Sequence, residues 1–255
     1  MKLKTLALAD EQIYQFDLKG YIILKDVVPE IHLKAANLVL DQIEAMAPKD
    51  YPPALAFAQD TSLPGMFFTN VLEADPAMRT FMNYPKVLGA IQSVTGPTWR
   101  LNHTACIIRH GKGNPTKVHG GATPHDAKCS YEVKDGQIFS SLTKVVYPLL
   151  PCRPEDGCFA VIPGSHKSCF PRPWSNEPQD NLELTPVIAE PGDAIVFTEA
   201  LTHGSTINTS GKSRRTLYYC YSVGHMADWM YHGTKFSPEF YQQVNDTERH
   251  ILSLK

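Results

Sequence analysis

Two histidines in similar settings are the first residues whose type and placement suggest chemistry. His119 lies in KVHGGATPHD (residues 117–126) and His203 in FTEALTHGS (residues 197–205), each after an apolar, strand-like run. Alone, either would be read as a hydrogen-bonded structural residue. At the mouth of the same barrel they form a pair of neutral imidazoles, which suits iron, zinc, copper or nickel. A pair that leaves coordination positions open belongs to a catalytic metal rather than a structural one. Arg214 follows in SRRTLYYCYSV. On a strand, Arg214 and Thr216 face the same way because side chains alternate with period two. A guanidinium fork beside a hydroxyl is a receptor for a carboxylate. His110 and His125 stand in reserve as further imidazoles.

The elements that must position these groups are legible in outline. Residues 8–46 read helix, strand, helix: GYIILKDVV is rich in β-branched residues, and Pro29 opens a helix with Leu33, Ala36, Leu40 and Ile43 on one face. Residues 48–100 are mixed, with YPPALAFAQDTSLPGMFF expected as loop and 75–93 as helix. From residue 101 to about 225, NHTACIIRHG, FSSLTKVVYPLL, GCFAVIPGS, PGDAIVF and RRTLYYCYSV read as short strands bounded by Gly, Pro or Asp. Strands at this spacing predict a sandwich or barrel. Ser237-Pro238 predicts the start of a C-terminal helix over residues 235–255. The long polar, proline-rich stretch between Gly164 and Val187 has the length of a lid, with Phe170 and Trp174 as its apolar contacts. The expectation is one domain spanning residues 1–255.

Composition narrows the function classes. With 43% hydrophobic and 20% charged residues the chain is ordinary globular protein, and a net charge of −2 offers no broad field for nucleic acid. No run approaches the roughly 18–20 apolar residues of a membrane span. The N-terminal MKLKTLALADEQ reads as the start of the fold rather than a signal peptide. None of the six cysteines forms a C-x-x-C pair, so buried or incidental thiols in a reducing cytoplasm are expected and the sequons at Asn102, Asn208 and Asn245 carry no meaning. The Gly-Lys-Ser at 211–213 lacks the upstream glycine of a phosphate loop, and IPGSHK does not complete a nucleophile elbow.

Taken together, His119, DGCFAVIPGSHK, PGDAIVF, His203-Gly204-Ser205, Asn208 and Arg214 occur in the order of the phytanoyl-CoA dioxygenase-like family. FDLKGYIILKDVV also resembles that family's opening helix and strand, so the resemblance runs from residue 10 to about 225. It implies a mainly β fold with flanking helices, a double-stranded β-helix (jelly-roll), holding Fe(II) and 2-oxoglutarate and consuming O₂. On that resemblance His119 and His203 ligate iron, and Arg214 with Thr216 receives the distal carboxylate of 2-oxoglutarate. Asn102 is expected beside the co-substrate. Met66, Phe67, Phe68, Phe170 and Trp174 are expected to contact a small-molecule substrate.

One departure stands out. The family's first motif is His-x-Asp, whereas this chain reads His119-Gly120-Gly121. Three explanations stay open at the level of sequence. Another carboxylate can substitute: Asp126, beyond the Thr-Pro turn, or Glu199, which shares strand parity with His203. Gly121 can leave an open position for water or for chloride, as in halogenases of this chemistry. Or the site is degenerate, which fits poorly with the presence of His203, Arg214 and Thr216 together. The expected activity is oxygenation of a small metabolite. Halogenation is the alternative within the class, and a cupin-like or non-catalytic jelly-roll metal protein the alternative outside it. Oligomeric state is not encoded in any motif.

Overall fold

A computed structural model describes residues 3–57, 65–227, 229 and 236–254. The chain opens with α1 (Asp10–Lys19), β1 (Tyr21–Leu24) and α2 (Glu30–Ala45). It continues through β2 (Ala56–Phe57), β3 (Gly65–Thr69), α3 (Pro76–Arg79) and α4 (Pro85–Thr95). The strand-rich part comprises β4 (Trp99–Arg109), β5 (Tyr131–Lys134), β6 (Gln137–Ser140), β7 (Leu142–Pro148), β8 (Phe159–Val161), β9 (Thr185–Pro186), β10 (Ala194–Thr198), β11 (His203–Ser205) and β12 (Arg214–Val223). It closes on α5 (Pro238–Gln243) and α6 (Asp246–Leu252).

The strands form a seven-stranded sheet in the order β1-β10-β7-β12-β4-β3-β2, a three-stranded sheet β11-β8-β9 and the hairpin β5-β6. All registered pairs between these strands are antiparallel. This is the double-stranded β-helix the sequence implies. Each strand of the large sheet has two faces because its side chains alternate. On β12, Leu217, Tyr219 and Tyr221 point into the larger core, packed with the helices, while Arg214, Thr216, Tyr218 and Cys220 face inward towards the small sheet. A smaller core of Val146, Phe159, Val161, Val187, Ala189, Ile195, Phe197 and Leu201 fills the space between the sheets.

Three tyrosines on the helix-facing side are fully buried, which is tolerable only when their hydroxyls find partners. Tyr147 Oη donates to the Phe81 carbonyl at 2.8 Å, Tyr221 Oη to Met82 at 3.1 Å and Tyr219 Oη to Met78. The carbonyls belong to one short helical segment, so the large sheet is pinned to α3 and its continuation. Phe81 sits among the rings of Tyr84, Tyr147 and Tyr219 at centroid separations of 6.0, 5.2 and 6.1 Å.

The opening helix–strand–helix matches expectation, with Ala36, Val39, Leu40 and Ile43 buried on α2. Elsewhere the structure corrects the reading. Residues 65–68, expected as the end of a loop, belong to β3 and pair with β4, because Phe68 gains a fully buried place in the larger core. Residues 58–64 of the expected loop lie outside the described residues. FSSLTKVVYPLL is divided at Ser141 between β6 and β7. The C-terminal helix is two helices: Ser237 caps α5 by accepting from Phe240 N, and Asn245 with Glu248 forms a capping box that restarts the chain as α6. All six cysteines are free. Among the described residues no helix is long and apolar enough to cross a membrane.

Replacing Phe81 with Ala removes a ring that fills the contact between the helices and the large sheet. A loss of about 3–5 kcal/mol is expected, read as a lowered urea midpoint with an unchanged denaturation slope.

Candidate active site

The inward face of the large sheet assembles a cavity of about 240 Å³. β3 contributes Phe67 and Thr69, β4 contributes His103, Ala105 and Ile107, and β12 contributes Tyr218 and Cys220. Their registers explain the grouping: Phe67 is opposite Ile107 and Thr69 opposite Ala105, so one face of adjacent strands is presented together. Lys144 from β7, Phe159 from β8 and Trp229 complete the wall, and the two histidines close it.

His119 and His203 meet through the backbone before they meet through their rings. His119 N donates to the His203 carbonyl at 2.9 Å and His203 N to the His119 carbonyl at 2.8 Å. This closely spaced antiparallel pair fixes both Cα positions, and the rings come to 4.1 Å between centroids. Each Nδ1 lies against a backbone carbonyl two residues earlier, Lys117 O at 2.8 Å and Leu201 O at 2.7 Å. Carbonyls only accept, so each Nδ1 carries the proton and each Nε2 keeps its lone pair. That is the tautomer a metal needs. Burial, and after it the nearby His119 and Lys144, hold the His203 imidazole far below its ordinary proton affinity.

A third donor stands with them. Ligating atoms of His119, Glu199 and His203 all lie within 4.8 Å of one another. Adjacent donors on one face of an ion with bonds of about 2.1 Å are roughly 3.0 Å apart, so the three side chains can share one first-row ion once they draw in around it. Two imidazole nitrogens and one carboxylate are the donor set of non-haem Fe(II) oxygenases. Glu199 Oε2 is buried and pairs with Lys144 Nζ at 2.7 Å. Burial would weaken the ammonium of Lys144, but the Glu199 charge overrides that and holds it protonated.

The other expected residues fall in distinct places. Arg214 and Thr216 line a small pocket with Val146, Val187 and Ile195, and Phe159 and Tyr218 form its boundary with the histidine cavity. Both residues are about 5% exposed, and an Nη of Arg214 donates to the Gly157 carbonyl. Asn102 sits where the β4–β12 register shifts: its Nδ2 donates to Ser222 Oγ at 3.0 Å and its Oδ1 accepts from Trp229 N, so it anchors Trp229 over the cavity without itself lining it. Of the three neighbours on β3, only Phe67 lines the cavity; Phe68 is fully buried in the larger core and Met66 packs against that core. Asp126 is exposed and caps a short 3-10 turn by accepting from Lys128 N at 2.9 Å. His110 pairs at the surface with Glu44.

Gly120 and Gly121 have φ of +77° and +117°. A Cβ on Gly120 would stand 2.7 Å from the Leu201 carbonyl, and one on Gly121 would stand 3.0 Å from Thr202 Oγ1. The two glycines therefore let the turn after His119 nest on the turn that carries Glu199–Thr202. Gly121 opens not on the histidine cavity but on a neighbouring cleft of about 450 Å³, walled by the long loop through Phe170, Arg172 and Trp174. Arg172 ties that loop to the site, donating to Asn181 Oδ1 at 2.9 Å and to the Val118 carbonyl at 3.3 Å. Sequence reasoning missed His103, Lys144 and Trp229. Period-two counting along β4 and β7 could have found the first two, since His103 and Lys144 share faces with Ala105 and Val146.

The phytanoyl-CoA dioxygenase family model matches residues 16–216. The chain belongs to this family. It is an oxygenase of the iron- and 2-oxoglutarate-dependent type, and its cofactor set is Fe(II), 2-oxoglutarate and O₂. Among curated proteins, methylphosphonate hydroxylase of Gimesia maris is 24% identical over 226 residues, covering 85% of this chain and 81% of that protein. Among solved structures, HygX of Streptomyces hygroscopicus with nickel and 2-oxoglutarate bound superposes with a TM-score of 0.76 at 21% identity, covering 88% of this chain and 90% of its own. The carbocyclase SnoK from nogalamycin biosynthesis gives a TM-score of 0.63 at 17% identity, covering 85% and 84%. At these identities the structural likeness establishes the shared fold.

Two predictions follow from this geometry. Gly120→Ala forces a side chain against the Leu201 backbone at positive φ. It should cost about 1–2 kcal/mol and weaken metal binding, both read by thermal melts with and without Fe(II) or Mn(II). His103, enclosed around the cavity, has its pKa pushed down to about 3 by burial and then by Lys144, and burial pushes His166 down to about 4. The unfolded chain takes up these protons near pH 6.5, so it binds more protons than the native state below that value. Stability should be complete above about pH 6.5 and fall progressively towards pH 4 and pH 3, with His166→Gln flattening part of the slope in denaturation midpoints across that window.

Proposed function

We propose that the chain hydroxylates a small molecule, with His119 and His203 holding the iron and Arg214 with Thr216 holding the far carboxylate of 2-oxoglutarate. The observation that carries this reading is the adjacency of two pockets. The Arg214 pocket and the histidine cavity share Phe159 and Tyr218 as their common wall. The Arg214 pocket holds only about 20 Å³ here, so a short dicarboxylic oxo-acid with one end at the metal and the other at the buried guanidinium would part Phe159 and Tyr218 as it binds. When bound, iron and 2-oxoglutarate supply with O₂ the oxidising equivalent that breaks a substrate C–H bond.

The chain's own part is positioning and exclusion. Arg214 and Thr216 orient the co-substrate. The carbonyls of Lys117 and Leu201 hold the two imidazoles in the ligating tautomer. Phe159 and Phe197 pack beside His203, keeping water from that side of the site. The histidine cavity is at the small end for ligand sites, which supports a compact substrate lying against Phe67, His103 and Trp229. The relative named for hydroxylating methylphosphonate is of that size class. Phe170 and Trp174 border the adjoining cleft, so they would meet only a substrate that extends past Gly121.

The test is an anaerobic titration of apoprotein with Fe(II) and 2-oxoglutarate, following the visible metal-to-ligand charge-transfer band. Arg214→Ala should weaken 2-oxoglutarate binding at least tenfold while Fe(II) binding alone stays unchanged, and Thr216→Val should have a smaller effect in the same direction. A wild-type protein that binds Fe(II) but develops no band would leave a metal-binding jelly-roll and end the oxygenase reading. A wild-type band that moves with chloride would turn the reading to halogenation.

A further inference from the structure

We propose that Glu199 is the carboxylate that completes the metal site, in place of the aspartate that His-x-Asp would have placed at residue 121. This rests on the reading of His119 and His203 as metal ligands. Three independent observations carry it. The ligating atoms of His119, Glu199 and His203 form one group within 4.8 Å. Glu199 is 4% exposed and its Oε2 pairs with Lys144 Nζ at 2.7 Å, so a buried carboxylate stands beside the two imidazoles with its counter-charge in place. Finally, the backbone around the two glycines is built to bring this acid in: Gly120 lies against the Leu201 and Glu199 carbonyls, where a Cβ would stand 2.7 and 3.2 Å away.

The substitution of one acid for another follows from geometry. Residue 121 has a positive φ, its Cβ direction runs to Thr202 Oγ1, and it lines the neighbouring cleft rather than the histidine cavity, so an aspartate there would be strained. Glu199 immediately follows β10, and the turn to His203 returns the chain to the same site. It approaches the ion from the second histidine's side rather than the first's. Lys144, inward on β7, is its counter-charge, 2.7 Å from Oε2. A carboxylate has two oxygens, so the pair with Lys144 and a bond to the ion are compatible. The buried charge is then balanced whether the metal is bound or absent. With a protein carboxylate in the third position, chloride has no vacancy to enter.

The test compares wild type, Glu199→Gln and the charge-balanced pair Glu199→Gln with Lys144→Met, each first checked for folding by circular dichroism and thermal melting. Calorimetric titration with Fe(II) or Mn(II) alone is the readout for ligation. Both variants are expected to bind metal at least tenfold more weakly than wild type. In the presence of 2-oxoglutarate, the wild-type charge-transfer band should ignore chloride, and the band of the charge-balanced variant should shift with it. Wild-type metal affinity in the charge-balanced variant would overturn the proposal, as would a wild-type band that shifts with chloride. Absence of any band in wild type would defeat the co-substrate reading while leaving the metal titration of Glu199→Gln to decide this one.

Discussion

The two-residue period of β12 is the constraint on which both the core and the site depend. The strand is paired on both sides, with β4 and with β7, along most of its length. It therefore cannot slip by one residue without turning Arg214 and Thr216 into the helices and Leu217, Tyr219 and Tyr221 into the cavity. The tyrosine hydroxyls reinforce that register, because each is satisfied by a carbonyl of the short helical segment over the sheet. Arg215, on the outer face, is held by Asp41 and Glu44 of α2. Stability and the placement of the candidate co-substrate arginine are thus one register choice.

A second constraint operates at right angles to the first. The reciprocal backbone bonds of His119 and His203 join the segment after β4 to the small sheet, and the ring tautomers follow from carbonyls two residues back. Nothing in this arrangement asks the side chains to search for one another. The backbone brings them within ring contact, and burial removes the protonated form of His203. A site of this kind is organised before any ion arrives, which lowers the ordering cost of binding.

The glycines after His119 work through the backbone. Their positive φ values and the tight approach of the Leu201 carbonyl let the turn after His119 nest on the turn before His203, and the buried charges nearby are those of the Glu199–Lys144 pair. A paired charge is the affordable way to hold a carboxylate in a buried wall. The neighbouring cleft under the long loop is then a separate space, tied down by Arg172 to Val118 beside His119.

What the sequence by itself determined is whatever local periodicity controls. The strand blocks from 101 to 223 and Arg214 with Thr216 on one face follow from alternation and turn residues, and the family was legible as a resemblance carried by short motifs in order around the two histidines. Tertiary structure alone decided the rest. Whether Phe67 or Phe68 faces the cavity depends on the register of β3 against β4, and Asn102 holds Trp229 instead of lining the cavity because the β4–β12 register shifts at its position. His103, Lys144 and Trp229 come from separate segments, and only sheet closure brings them together. The question raised by His119-Gly120-Gly121 stayed open in the sequence, where Asp126 and Glu199 were both candidates, because only the fold leaves Asp126 at the surface and brings Glu199 beside both histidines.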